Sequence, residues 1–440
     1  MKKTIITMII VAMLASITAV FYASAYTPTF DVASNNVMLV NTDTCDVLYD
    51  KNSADRIYPA SVSYLMNALV VCENVLPDDT VTVDGSVVGK LSGTGAIVAN
   101  LTDGEQITVK DLLCCMLISS HNDAALALAQ YAAGGADEFV ELMNEKARQL
   151  GMTDTNYTTP VGLYNENQYT SARDIYKLAK AAFSNADIAE ILSNTRYTVP
   201  ATNKSKQRLL TNTNRLIDRT TSYYYKYATL GKTGNSDVSG RCVVSAASYE
   251  GANYICVVAG NDGASAQRND FQDSINLYRW AFTSFEYKTV INKGEQIPVS
   301  AKVDLSWDID SITLTAGESV IALLPKDADL STIEYVPHLD KDVYDAPIKS
   351  GDVLGTAEIY YLNPTLNDSE PVGVINICAG EDVDRNIVLL IWRWIHSVIS
   401  NVFVIIAVIL LIILFIALTV RANIKAKRER NKKLKLKKRL

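Results

Sequence analysis

Two long apolar runs lie at opposite ends of this 440-residue chain. Near the start, two lysines precede the apolar stretch 4–20, and Ala-Ser-Ala follows it. This order is typical of a signal peptide over 1–25 that is cleaved after Ala25, although an uncleaved membrane anchor would show a similar apolar run. Near the other end, residues 402–420 contain no charged side chain. Such a run is long enough to cross a bilayer, so we expect a transmembrane helix over 401–420.

The hydrophobic pattern between these runs predicts two domains of different architecture. In residues 26–287, apolar positions recur at helical spacing, and a strand pair over 241–258 turns at Glu250-Gly251. In residues 288–383, short alternating runs are separated by Gly, Asp and Pro. We therefore expect an α/β (α+β) domain followed by a smaller all-β sandwich. The predicted helices are 61–73, 109–133, 136–150 and 171–183.

The formal net charge of −7 conceals an uneven distribution of charge. Residues 421–440 carry eleven Lys and Arg against a single Glu, whereas 26–420 has a net charge of −19. A nucleic-acid binder would carry its basic residues on a folded face, so the sequence argues against that class and against a cytosolic soluble protein. A dense Lys/Arg flank marks the cytoplasmic side of a membrane span. We expect 421–440 to be a cytoplasmic tail and 384–400, with Trp392 and Trp394, to be an interfacial amphipathic segment.

The seven cysteines and three histidines give no metal-binding pattern. An odd number of cysteines cannot pair completely within one chain, and most have apolar neighbours, as Cys114 and Cys115 do. Free cysteine in such surroundings behaves as a small core residue. The chain has no Cys-x-x-Cys sequence, and its histidines are far apart. We therefore expect no metal and no cofactor, while the pairing of the cysteines stays open.

Ser61 is the first candidate for chemistry. It follows Tyr58-Pro59-Ala60 at the first turn of a predicted apolar helix. Unpaired N–H groups at a helix start favour a developing anion, so a serine there could attack a carbonyl and stabilise the resulting oxyanion. An ordinary N-cap serine would give the same pattern.

Two further segments offer hydroxyls, an amide and a cation. Ser120 and Asn122 fall between an apolar helical stretch and an Ala-rich one, where they could relay a proton and hold an amide substrate. Ser and Asn also cluster at helix ends for local reasons. In a strand, Lys232, Thr233 and Gly234 would offer a cation, a hydroxyl and a bare backbone edge for an extended peptide. A solvated lysine in a glycine turn is the alternative.

In this order, the three segments resemble the Ser-x-x-Lys, Ser-x-Asn and Lys-Thr-Gly elements of the serine penicillin-recognising enzymes. The closer resemblance is to the serine D-alanyl-D-alanine carboxypeptidases, the low-molecular-mass penicillin-binding proteins, and it extends to 160–163 and 346–355. It implies that Ser61 is the acyl-enzyme nucleophile and that Ser120 is a second catalytic residue. By the same resemblance, the substrate-binding residues are Asn122, Lys232, Thr233 and Gly234.

The resemblance also implies a reaction, partners and a location. Members of the family remove the terminal D-alanine from peptidoglycan pentapeptide stems and are acylated by β-lactams. The expected partners are therefore stem peptides, β-lactams and the bacterial cytoplasmic membrane, with no nucleic acid. The domain with the three motifs would lie outside the cytoplasm, anchored by the C-terminal span. The oligomeric state is left open.

Tyr64 departs from the family pattern, because Ser-x-x-Lys requires a lysine three residues after the serine. Residues i and i+3 share a helix face, which puts the lysine amine beside the serine hydroxyl. A phenol has an ordinary pKa of about 10 and is a poor base at neutral pH. One hypothesis is that Lys232 lowers the pKa of Tyr64 and makes it the base. Another is that His121 is the base, unless it points to solvent or packs.

Three functions follow from these patterns. The first is an active membrane-anchored carboxypeptidase that works through acyl-Ser61. The second is a pseudoenzyme that binds stem peptides or β-lactams without turnover, which the loss of lysine at position 64 would favour. The third is a structural envelope protein whose β domain binds partners.

Overall fold

A computed structural model describes residues 27–236, 238, 240–261, 267–361 and 371–437. The predicted signal peptide at 1–25 lies outside the described residues. The chain forms two compact units. The first runs to Lys288 and also includes Leu323–Ala328, and the second contains Thr289–Ala322 and most of the chain from Asp329 onwards.

The first unit is built on a five-stranded antiparallel sheet with strand order β2-β1-β9-β8-β7. The strands of this unit are β1 (Asn36–Asn41), β2 (Val47–Lys51), β3 (Thr80–Thr82), β4 (Gln106–Thr108), β5 (Arg196–Val199), β6 (Arg208–Thr211), β7 (Ala228–Ser236), β8 (Gly240–Tyr249) and β9 (Ala252–Asn261). Strand β10 (Phe285–Ile291) follows them in the chain. Because β7 ends the strand order, one of its backbone edges is unpaired in this sheet.

Among the residues that the structure describes, this unit contains eight α-helices. They are α1 (Tyr64–Asn74), α2 (Gly85–Val88), α3 (Val109–Ser119), α4 (Asn122–Ala133), α5 (Ala136–Gln149), α6 (Ala172–Ser184), α7 (Ala186–Ser193) and α8 (Asn269–Ser284). Two short 3₁₀ helices, Ala60–Ser63 and Gly89–Leu91, complete the set. The α/β prediction for this part of the chain is confirmed.

The two faces of the sheet are buried in different clusters, because successive strand residues point to opposite sides. Val244 on β8 and its register partner Val257 on β9 pack in the cluster that contains α1, α3 and α4. The adjacent pair, Val243 and Val258, packs in a second cluster with aromatic residues of α8 such as Phe271. The sheet is therefore covered on both faces, and the candidate motifs lie where its helices meet the edge strand β7.

The stretch 109–133, predicted as helical, is divided into α3 and α4. Thr108 caps α3 by accepting the N–H of Asp111 at 3.1 Å. The helix ends at Ser120, whose φ of 59° lies in the left-handed region and stops the helical path. The chain resumes as a helix at Asn122. This break puts two polar side chains at a junction between buried helices.

The second unit is all-β in its globular part. Its strands are β11 (Gln296–Asp304), β12 (Ser311–Ala316), the first half of β13 (Val320–Pro325), β14 (Ile333–Leu339), β15 (Tyr344–Asp345), β16 (Val353–Tyr361) and β17 (Gly373–Ala379). Six of them form a sheet in the order β14-β16-β17-β12-β11-β15. In β12, Ile312, Leu314 and Ala316 are buried while Ser311 and Thr313 are exposed, the alternation of a strand with one covered face.

Two helices end the described chain: α9 (Ile387–Ser400) and α10 (Val402–Lys437). Residues 402–432 of α10 include a window of mean hydropathy 3.5, long and apolar enough to cross a membrane. In α9, Arg393 forms ion pairs with Asp345 at 2.6 Å and with Asp304 at 3.2 Å. These pairs tie α9 to the six-stranded sheet.

Candidate active site

Ser61 lies in the 3₁₀ helix that leads into α1. The carbonyl of Pro59 accepts the N–H of Val62 at 3.0 Å. Ala60 has a φ of 45°, a left-handed conformation that is uncommon for a residue with a Cβ atom. The Ser61 side chain is half-buried. The backbone thus holds the serine where the loop becomes a helix and leaves it partly open to solvent.

The break between α3 and α4 places Asn122 against Tyr64. The backbone N–H and the Nδ2 of Asn122 both donate to the Ile97 carbonyl, at 2.8 and 3.1 Å. Its Oδ1 accepts the hydroxyl of Tyr64 at 2.7 Å. Ser120 and Asn122 are both buried. The second motif therefore faces the first, and Asn122 is held from both sides.

The third motif lies on the edge strand β7 and reaches the other two. Lys232 donates from Nζ to Ser120 Oγ at 2.5 Å and to the Thr233 carbonyl at 2.9 Å. Its Nζ lies 5.6 Å from the centre of the Tyr64 ring. A Cβ atom on Gly234 would lie only 3.0 Å from the carbonyl oxygen of Pro59. The three sequence segments therefore meet in one place.

Lys232 is fully buried without an acidic partner. Only 1% of its surface is exposed, and no carboxylate of the described residues forms an ion pair with it. Burial penalises the charged amine and lowers the pKa of Lys232 to about 7. A substantial share of the molecules therefore has a neutral amine here near neutral pH.

Tyr64 is a buried hydrogen-bonding centre and remains a neutral phenol. Its hydroxyl accepts the N–H of Gly162 at 3.2 Å and donates to Asn122. Burial raises the pKa of Tyr64 well above its ordinary value, and hydrogen bonds from Gly162 and Ser61 offset only part of that rise. The direction of both shifts argues against the hypothesis that Lys232 turns Tyr64 into a phenolate base, because burial favours the neutral form of each side chain.

His121 packs beside the motif without reaching the serine. Its side chain is half-buried, and burial lowers its pKa, with Asp123 and Arg208 as its charged neighbours. Among the described residues, its Nδ1 has no hydrogen-bond partner, and no bond joins it to Ser61 or Lys232. The geometry therefore gives the His121 hypothesis no support.

Three further residues belong to the site although the sequence analysis gave them no role. A Cβ atom on Gly162 would lie 2.7 Å from Ser61 Oγ, so the bare glycine permits the close approach. Thr213 accepts the hydroxyl of Thr233 at 2.6 Å. Asn214 is buried behind Gly231, where a Cβ atom would lie 2.8 Å from its Nδ2. For Gly162 the signal was available in the 160–163 match, whereas the other two contacts depend on the tertiary fold.

The seven cysteines are unpaired, and six of them are at least partly buried. Among the described residues, no group of His, Cys, Asp and Glu side chains is arranged to hold a metal ion. The site is thus composed of hydroxyls, amides and one amine.

Comparison with known proteins gives a consistent result. The family model described as D-alanyl-D-alanine carboxypeptidase matches residues 22–263, and that of the penicillin-binding protein 5 C-terminal domain matches 285–385. The chain is 29% identical to D-alanyl-D-alanine carboxypeptidase DacF of Bacillus subtilis, over 80% of this chain and 86% of that protein. It is 32% identical to DacC of Escherichia coli, over 75% and 80%. The structure resembles penicillin-binding protein 5 from Haemophilus influenzae with a TM-score of 0.61 and 26% identity, covering 82% of this chain and all of that one.

Proposed function

The chain belongs to the D-alanyl-D-alanine carboxypeptidase family, and from this we propose that it removes the terminal D-alanine from peptidoglycan stem peptides through an acyl-enzyme on Ser61. The observation that carries the proposal is the convergence of the three motifs. Lys232 contacts Ser120 across 112 positions of sequence, and Tyr64 contacts Asn122 across 58. Folding thus brings the proposed nucleophile near buried polar groups from distant parts of the chain, which supports acyl transfer.

The proposed reaction uses the edge of β7 to hold the stem peptide. An extended peptide adds to an unpaired strand edge through backbone hydrogen bonds, and the bare Gly234 lets its backbone approach. Ser61 Oγ then attacks the carbonyl of the penultimate D-alanine. The C–N bond to the terminal D-alanine breaks, and water later hydrolyses the Ser61 ester. A β-lactam would enter the same cleft and acylate the same oxygen.

Intact-mass spectrometry of the detergent-solubilised chain with a penicillin tests this function. We expect one covalent adduct on the parent protein and none on Ser61→Ala, because the acyl bond needs that oxygen. Ser193→Ala, which changes an exposed serine at the end of α7, is the matched control and should be acylated like the parent. Release of D-alanine from a stem peptide ending in D-Ala-D-Ala should follow the same order. An adduct that persists in Ser61→Ala would reject Ser61 as the nucleophile.

A second function, binding of stem peptides without turnover, is favoured by one observation. Tyr64 stands where the family has a basic lysine, and its phenol is neutral. If binding is the function, the chain will retain a stem peptide in equilibrium dialysis but release no D-alanine and form no penicillin adduct.

We further propose the topology that the two apolar ends suggest. Residues 1–25 are removed on export, the domains 26–287 and 288–383 lie outside, and 421–440 is cytoplasmic. The basic tail next to a span of high hydropathy supports this orientation. Protease added to intact spheroplasts should digest the large domains and leave an epitope tag at residue 440 protected. A digested tag with protected domains would reverse the orientation.

A further inference from the structure

We propose that Lys232, acting through the Ser120 hydroxyl, takes the proton from Ser61 in this chain and so replaces the lysine that position 64 lacks. This inference rests on the proposed acyl-transfer function. It moves Lys232 from substrate binding to proton transfer. It also explains how a serine nucleophile could work beside a tyrosine that cannot accept its proton.

The contacts of Lys232 suit an amine that exchanges a proton with a hydroxyl. One N–H donates to the Thr233 carbonyl at 2.9 Å, and Nζ lies 2.5 Å from Ser120 Oγ. In its neutral form, the amine keeps a lone pair that can accept the Ser120 O–H along that short contact. Nζ also lies above the ring of Tyr64, 5.6 Å from its centre, and the Ser61 side chain is close enough to the hydroxyl of that ring to lower its pKa. The amine and Ser61 therefore lie near the same aromatic side chain, and Ser120 contacts the amine.

No titratable group on the described elements packed around β7 supplies a negative charge to the Lys232 amine. On β8, Cys242 is close enough for its thiolate to interact with Lys232. Burial raises the pKa of this thiol to about 12, so it is neutral. Arg241 on β8 donates to the carbonyl of Gln267. On α7, Glu190 pairs with Lys110, and the charge of its helix neighbour Asp187 acts on Lys110 and Cys72. On α1, Tyr64 is neutral. A buried amine in such surroundings is stable without its proton and can serve as a base.

An alternative proton relay from Ser61 through Tyr64 would end at the side-chain amide of Asn122. Ser61 can hydrogen-bond the Tyr64 hydroxyl, which passes its own hydrogen to Oδ1 of Asn122. An amide oxygen is not basic enough to hold the proton at neutral pH, so a relay in this direction has no terminus. Tyr64 is accordingly a positioning residue that orients Ser61 and Asn122.

The proposed step balances without any additional reactant. As the Ser61 Oγ–C bond forms, the Ser61 proton passes to Ser120 Oγ, directly or through one water, and the Ser120 proton passes to Lys232 Nζ. The amine becomes an ammonium. When the C–N bond breaks, the ammonium returns the proton by the same hydroxyl to the leaving nitrogen, and the neutral amine is restored.

The test is the maximal rate of Ser61 acylation at saturating penicillin, measured on the detergent-solubilised full chain from pH 5 to 9. The base must be unprotonated, so the parent rate should rise through pH about 7 and then level off. Lys232→Met, similar in length but not basic, should lower the maximal rate by about 10²–10⁴-fold. Ser120→Ala should also lower it. The matched control Lys226→Met changes an exposed lysine of the first unit and should leave the rate and its profile unchanged.

A variant with the family lysine at position 64 distinguishes loss of the catalytic base from loss of the folded site. Tyr64→Lys combined with Lys232→Met should regain at least about tenfold of the lost rate, because base catalysis alone is worth more than that. This recovery also shows that Lys232→Met folds.

Three outcomes would overturn the inference. If Lys232→Met only raises the penicillin concentration required and leaves the maximal rate and pH profile unchanged, Lys232 binds substrate and is not the base. If the parent forms no adduct but Tyr64→Lys does, the cleft is intact and lacks a base. If neither forms an adduct, the proposed acyl transfer fails together with the inference.

Discussion

A single side chain, Tyr64, changes the chemistry that the surrounding cleft can perform. Its phenol lies fully buried between the Gly162 N–H and the Asn122 oxygen. Each neighbour uses the hydroxyl as a hydrogen-bond partner, so the position is structurally satisfied although it supplies no base. The amine used by the proposed proton transfer is therefore Lys232 on β7.

Gly162 controls the room around the nucleophile. We expect Gly162→Ala to lower the penicillin acylation rate by about 10²-fold, because its Cβ would stand 2.7 Å from Ser61 Oγ and 2.9 Å from Ser61 Cα, and displacement of a reacting atom by about 1 Å can cost that much. The rate is measured by rapid quench and mass spectrometry. Gly89→Ala is the control, because nothing lies within 4 Å of its added methyl group. Equal rates in the two variants would contradict the close approach.

Lys232 should also make the unfolding free energy depend on pH. Its pKa is about 7 in the folded protein and about 10.4 in an unfolded chain. Between these values the unfolded state binds the additional proton, so the unfolding free energy rises with pH, by up to about 1.4 kcal/mol per pH unit. We expect this rise from pH 7 to 9 in pulse proteolysis of the parent in urea, and its absence in Lys232→Met. Lys226→Met should behave as the parent does, and a rise retained in Lys232→Met would assign the effect elsewhere.

Much of the candidate site could be predicted from residue type and spacing. Ser61, Ser120, Asn122 and Lys232 each stand out because a nucleophile, an amide or a cation lies at a helix end or beside a glycine. What the sequence could not supply was the state of each group. The low pKa of Lys232 depends on burial by segments that are distant in sequence, and no local pattern encodes it.

At the level of elements, periodicity predicted the helices well and their interruptions less well. The stretch 136–150 is α5 almost to the residue, and Glu250-Gly251 does form the turn between β8 and β9, with both residues at positive φ. The break inside 109–133 was harder to find, since Ala and Leu continue the helical pattern beyond it. Its cause is the left-handed Ser120, a conformation that single-sequence patterns rarely mark.

A buried ion pair joins two elements beside the site. Glu105, next to β4, and Arg208, at the start of β6, lie 2.8 Å apart, and Glu105 is fully buried. Arg208 also donates to the Ala99 carbonyl at 3.0 Å. This pair holds the β5–β6 hairpin against the segment that precedes β4.

We expect Glu105→Gln to lower the unfolding free energy by about 3–5 kcal/mol, because it leaves a partly buried guanidinium without its counter-charge. Burial raises the pKa of Glu105, but bonds from Arg208 and Thr202 outweigh it and lower the pKa overall. The stabilisation is therefore present above the unfolded pKa of about 4.3 and lost as pH falls through the lower folded value. Pulse proteolysis at pH 7 and at pH 3 measures this, with the exposed Glu138→Gln as control. A deficit that is equal at both pH values would show that charge is not the cause.

At the scale of the whole molecule, the chain combines an acidic part, residues 26–420, with a basic end beyond an apolar helix. The division into compact units near Lys288 leaves every site residue in the first unit. The C-terminal helices belong to the other unit.

A chain that ends at residue 400 should therefore leave the membrane fraction and keep its penicillin labelling. The physical reason is that α10 supplies the only described helix that is long and apolar enough to span a bilayer. Ultracentrifugation followed by labelling with a fluorescent penicillin checks both parts. A truncated chain that still sediments with membranes would assign the attachment to α9, and loss of labelling in the soluble fraction would show that the span supports the cleft.

The ion pairs of Arg393 have a consequence for lipid selectivity. Arg393 is the one Lys or Arg in Ile387–Ser400, and its guanidinium is already engaged by Asp345 and Asp304. In the proposed orientation, the outer leaflet would therefore meet tryptophan and aliphatic side chains but little free positive charge. In the same proposed orientation, the eleven basic residues at 421–440 would face the opposite leaflet. Any preference of the protein for phosphatidylglycerol or cardiolipin should accordingly arise on the inner side of the bilayer, where the basic tail can bind anionic headgroups.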